Sequence, residues 1–131
     1  MKKYENFCTC LNDLKNYKKY EDTKEAVIKQ GVLSQLEITY DTSWKLMKWI
    51  LSKEGVVSAE SGSPKAILSL AYQYGIINEE ETWIELHRDR NRLAHEYSIN
   101  NILDIFDKVF TRYLPILEEV LDKIPKERAE E

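Results

Sequence analysis

From Val27 to Leu51 the chain repeats apolar side chains at the period of a helix for about seven turns. Val27, Ile28, Leu33, Leu36, Tyr40, Trp44, Met47, Ile50 and Leu51 share one broad face when each residue advances about 100°. No single neighbour covers a face that wide. The helix must contact two others, or one helix and a second subunit. Gly31 lies inside it, at a cost of about 1 kcal/mol relative to alanine. Residues 32–40 include β-branched and aromatic types, but they continue the helical period, so no strand competes.

The rest of the sequence supplies the partners. Phe7, Leu11, Leu14 and Tyr17 form one stripe within 3–19, with Lys15, Lys18 and Lys19 where the helix dipole favours positive charge. Asp22 or Thr23 is the expected cap of the long helix, and Gly55 its stop near Glu54. Ser63 followed by Pro64 starts a short helix through Ile67, Leu68, Ala71 and Tyr72, ended by Gly75. Asn78 is the expected cap of the next helix, with Glu79, Glu80 and Glu81 in its first turn. Ser98 or Asn100 opens the last helix, whose stripe runs through Leu103, Phe106, Phe110, Tyr113, Leu114, Leu117 and Leu121. Pro115 falls inside it and predicts a local kink. With only four glycines and three prolines in 131 residues, these elements predict an all-α, up-and-down bundle of four main helices and a short one. Residues 1–125 are expected to form this single bundle, and 126–131 a charged, frayed tail.

Composition narrows the function. A hydrophobic fraction of 43% and a charged fraction of 32% belong to a folded domain. A net charge of −4 argues against general nucleic-acid affinity while leaving room for a local basic site. Cys8 and Cys10 are too close for a C-x2-C motif and read as ordinary thiols in a reducing compartment. No H-E-x-x-H pattern is present, so neither a metal nor a cofactor is expected. Without an apolar run of about 20 residues or a signal-peptide core, the expected location is cytoplasmic and off the membrane.

The polar exception is Trp83 to Tyr97, WIELHRDRNRLAHEY. On a helix, Trp83, Leu86, Arg90, Leu93, Ala94 and Tyr97 fall on one side, which puts Arg90 in the apolar sector. An arginine there requires an ion pair, an interface or a ligand, and Glu37 or Asp41 on the long helix is the expected internal partner. His87, Asn91 and His95 follow at intervals of four as a polar stripe, with His87 read as a surface histidine. Arginine suits phosphate and histidine transfers protons near neutrality, a minimal set for cleaving RNA through its own 2′-hydroxyl. Arg90 and His95 lie about 140° apart on an ideal helix, so an active site is expected to draw on two protomers of a symmetric dimer.

RNRLAHEY, Arg90 to Tyr97, resembles the R-x4-H-x-Y motif of HEPN domains. LSQLEITYDTSWKLMKWIL and SPKAILSLAYQYGII resemble the corresponding helices of one HEPN subgroup, the nucleotidyltransferase substrate-binding proteins. The likeness extends from about Tyr4 to Ile124. It implies a dimerising helical bundle whose gene neighbours an MNT-type nucleotidyltransferase. In toxin–antitoxin versions the HEPN member is a metal-independent endoribonuclease. The resemblance then makes Arg90 and His95 the catalytic pair, with Asn91 and Glu37 in support. Tyr97 would be the residue that the nucleotidyltransferase modifies with AMP to silence the toxin. The alternative implied by the subgroup's name is a non-catalytic subunit that holds substrate for its partner. A third reading is purely structural, with Arg90 pairing to hold the bundle or a dimer together.

Overall fold

The long periodic stretch forms one uninterrupted helix, α2 (Ala26–Lys53), and the remaining elements pack around it. They are α1 (Lys2–Asn16), α3 (Pro64–Gln73), α4 (Glu80–His95), α5 (Ile99–Lys108) and α6 (Leu114–Lys123). This computed structural model describes residues 2–96 and 98–130. Among those residues there is no strand, and the fold is the expected all-α bundle. The main helices are α1, α2, α4 and the α5–α6 pair, with α3 as the short addition.

Helix α1 lays Phe7, Leu11 and Leu14, all buried, along α2. The Gln35 amide reaches across to donate to the Cys10 carbonyl at 3.0 Å. The broad α2 face is buried along most, but not all, of its length. Leu33, Leu36, Tyr40, Met47, Ile50 and Leu51 are core residues, whereas Val27 stays 80% exposed at the first turn. Neither expected cap starts α2. Thr23 accepts the Glu25 N–H at 3.2 Å in a local turn, so helical geometry begins only at Ala26.

The stops obey glycine chemistry. Gly55 has φ +94° and Gly75 φ +76°, the left-handed region that an L side chain resists. After each, the next residue closes the helix end: Val56 N–H donates to the Leu51 carbonyl at 2.9 Å, and Ile76 N–H to Ala71 at 2.8 Å. Ser63 caps α3 through the Ala66 N–H, with Pro64 in the first turn, and Ser98 caps α5 through the Asn101 N–H. Asn78 does not cap α4. Its amide is drawn instead to Glu119 of α6, and Glu79 precedes the helix without a side-chain cap.

Pro115 interrupts the final helix as a π-helical turn over Val109–Tyr113, between α5 and α6. Proline lacks an N–H and crowds the carbonyl four residues back, and a widened turn relieves both. Leu103, expected in the buried stripe, is 42% exposed because α5 turns Ile102, Ile105 and Phe106 inward. Residues Lys126–Ala129 make a 3-10 turn that buries Ala129, and Arg128 grips both oxygens of Glu54 at 2.8 Å.

Candidate functional site

Helix α4 presents three faces. The inward one carries Trp83, Leu86, Asp89 and Leu93, whereas Ala94, assigned to it by periodicity, is exposed. The buried sector is therefore rotated toward Asp89, leaving Arg90 half-buried at its edge, beside α2. The Arg90 guanidinium meets Asp41 through Nε (3.3 Å) and Nη2 (3.2 Å), and Glu37 through Nη1 at 3.3 Å. One cation faces two carboxylates. The hydrogen bond to Asp41 outweighs burial and raises the Arg90 pKa. Burial pushes Glu37 up, Arg90 pulls it down and Asp41 pushes it up again, with a net rise.

The third face is the stripe of His87, Asn91 and His95. His87 is not a free surface side chain. Its Nδ1 lies 2.8 Å from the hydroxyl of Tyr40, a residue 1% exposed, and Asn91 Nδ2 lies 3.3 Å from its Nε2. With the Asn91 amide donating to Nε2, Nδ1 carries the proton and donates to the Tyr40 oxygen. Burial, then the charges of Lys65 and Arg90, hold the His87 pKa below its ordinary value. Burial and the neighbouring Asp41 raise that of Tyr40. His95 is exposed and makes no hydrogen bond to another described residue. Tyr97 lies outside the described residues.

Two open depressions flank this stripe. One, of about 450 Å³, is bordered by Tyr40, Asp41, His87, Arg90 and His95. The other, of about 360 Å³, is bordered by Lys65, His87, Arg88, Asn91 and His95. The first turn of α3, Pro64 and Lys65, contributes to both rims. Arg90 and His95 thus border one depression within a single chain despite their angular separation on α4.

The periodicity argument missed Asp89. Its side chain is 2% exposed, 2.7 Å from Lys108 Nζ and 2.8 Å from Arg92 Nη1, and it accepts from the buried Tyr113 hydroxyl. Burial lowers the Lys108 pKa, but the hydrogen bond and charge of Asp89 overcome it and leave it raised. Burial first, then Asp89, raises that of Tyr113. The signal was present: Asp89 falls three residues after Leu86 and four before Leu93, both buried. Among the described residues no three His, Cys, Asp or Glu side chains form a metal-holding group. No helix among them is long and apolar enough to cross a membrane.

An all-helical bundle with one polar helix face at its surface defines a small all-α domain. Residues 2–126 match the family described as nucleotidyltransferase substrate binding protein like, and the chain belongs to that family. The fold is similar to that of a Haemophilus influenzae protein whose structure is described as revealing the fold of a substrate binding domain of a nucleotidyltransferase. That match has a TM-score of 0.75 and 18% identity, covering 89% of this chain and 95% of that one. A crystal structure from Thermus thermophilus is similar at TM-score 0.72 and 22% identity, covering 87% and 97%. No curated protein matches the sequence.

Proposed function

We propose that this chain is the substrate-binding subunit of a two-component nucleotidyltransferase, holding the acceptor for a catalytic partner encoded beside it. The observation that carries this reading is the closure of the Arg90 fork on Asp41 and Glu37. A guanidinium that stabilises a phosphorane must meet developing negative charge with its own donors. Here Nε and Nη2 already bond Asp41 and Nη1 faces Glu37, so the fork is turned toward carboxylates of its own bundle, while the His87–Asn91–His95 stripe lines two open depressions. The family match over 2–126 supports the same reading.

A second reading rests on the shared rim of Arg90 and His95. In it the chain is the toxin of a HEPN/MNT pair, a metal-independent endoribonuclease whose dimer cleft uses Arg90 and His95, supported by Asn91 and Glu37. The nucleotidyltransferase silences it by transferring AMP to Tyr97.

One experiment separates them. The chain is expressed alone beside His95→Ala, with growth and total RNA followed, and each is then co-purified with the neighbouring nucleotidyltransferase. The subunit reading expects healthy growth from both, intact RNA and a stable complex. Growth arrest with RNA fragments, abolished by His95→Ala, would overturn it in favour of the ribonuclease.

A further inference from the structure

Along α4, His87, Asn91 and His95 follow one another at helical spacing with Arg88 beside them, and Lys65 of α3 lines the same depression. In a chain of net charge −4 this rim gathers positive charge. Lys65 and Arg88 are exposed and form no ion pair with a described residue. Arg92, on the same rim, is already committed to Asp89, Asp104 and Asn101. Glu96 is the one carboxylate among the described residues of the rim. His87 and Asn91 line the same depression, the His87 ring held by Tyr40 and the Asn91 amide by His87.

We propose that this rim binds a phosphomonoester of a small molecule, its phosphoryl group held between the Lys65 ammonium and the Arg88 guanidinium, with the Asn91 amide beside the organic part. The proposal rests on the substrate-subunit reading and specifies the substrate: a phosphorylated acceptor. A guanidinium fork and a mobile ammonium are complementary donors for a dianionic phosphate. The Asn91 carbonyl oxygen remains available as an acceptor once its Nδ2 is committed to His87. Burial and the charges of Lys65 and Arg90 disfavour a protonated His87 ring, which leaves Lys65 and Arg88 to meet the phosphoryl group. A polynucleotide presents the same phosphate chemistry, but its affinity accumulates over many contacts, and an acidic chain with two uncommitted cations here does not supply them.

The test is a titration of the ¹H–¹⁵N spectrum of the full chain with AMP, with inorganic phosphate and with a single-stranded RNA oligonucleotide. It is repeated on Lys65→Glu/Arg88→Glu; both side chains are exposed, and spectral dispersion checks the fold. AMP and phosphate are expected to shift the same amides, in 63–66 and 84–96. The charge reversal is expected to weaken AMP by about tenfold or more, the loss of two charge-assisted contacts. No response to AMP, unchanged AMP binding in the double variant, or RNA binding without AMP binding would each overturn the proposal. Co-purification with the nucleotidyltransferase is read in parallel. A stable complex without AMP binding removes only the phosphomonoester, whereas absence of any complex removes the subunit reading itself.

Discussion

Replacing Asp89 by alanine removes the most deeply buried carboxylate among the described residues, and the structure indicates which of its partners will suffer. Lys108 keeps Glu85 at 3.4 Å and Asp104 at 3.5 Å, and its side chain is 18% exposed. Arg92 keeps Asp104 at 3.1 Å and Asn101, and is 26% exposed. Tyr113 is fully buried and loses its only hydrogen-bond partner among the described residues. Deleting one side of a buried ion pair costs about 3–5 kcal/mol. Because both cations retain carboxylates and some solvent, the low end applies, and about 3 kcal/mol is expected, much of it from the orphaned phenol. Tyr113→Phe removes the hydroxyl but leaves Asp89 with two cations, and should cost about 1 kcal/mol. In the double variant the phenol is no longer orphaned, so its loss must fall short of the sum of the singles. Urea unfolding measures all three. At a slope of about 2 kcal/mol per molar, Asp89→Ala moves the midpoint down by about 1.5 M. A loss below about 1 kcal/mol for Asp89→Ala, or strict additivity in the double variant, would show that Asp89 does not hold α4 to the π-helical turn.

Arg90→Ala leaves Glu37 and Asp41 facing each other uncompensated, and at their partial exposure should destabilise the chain by about 1–2 kcal/mol. Adding Glu37→Gln should recover part of that loss in the same unfolding assay. His87, whose pKa is lowered on folding, takes up a proton more readily in the unfolded chain. Its contribution is therefore present above its ordinary value of 6.5 and lost as pH falls through the lower folded value. Unfolding curves on the acid side of neutrality should be flatter for His87→Gln than for the parent. Gly31 has open space where a Cβ would stand, so Gly31→Ala should raise stability by about 1 kcal/mol and the thermal midpoint by a few degrees.

Local chemistry made much of this fold legible. Helical periodicity located α2, because a face of that breadth stays apolar wherever its neighbours lie. Ser63–Pro64 and Gly75 delimited α3 because capping and positive φ are properties of one turn, independent of packing. The same holds for Ser98, and for Pro115, whose missing N–H must disturb any helix containing it. Asn78 and the start of α2 went differently because a tertiary partner or a nearby turn can outcompete a cap worth about 1 kcal/mol. The pairing of Arg90 with Glu37 and Asp41 was foreseeable, since a cation at the edge of an apolar sector needs an anion and few were within reach.

What the residues by themselves determined is the helix inventory, its stops and the presence of one polar helix in an apolar bundle. The burial of Asp89 and the clamping of His87 by Tyr40 were decided only by tertiary structure. Both depend on the rotation of α4 about its axis, and a small rotation exchanges Ala94 for Asp89 on the inward face. Trp83 packs against Tyr40 of α2 on one side, and Tyr113 and Lys108 hold Asp89 on the other. Tyr113 precedes Pro115 in a turn widened by the proline, and the position of its hydroxyl follows from that geometry. No spacing rule within α4 contains that information, because the contacts that select the rotation lie 15 or more residues away along the chain.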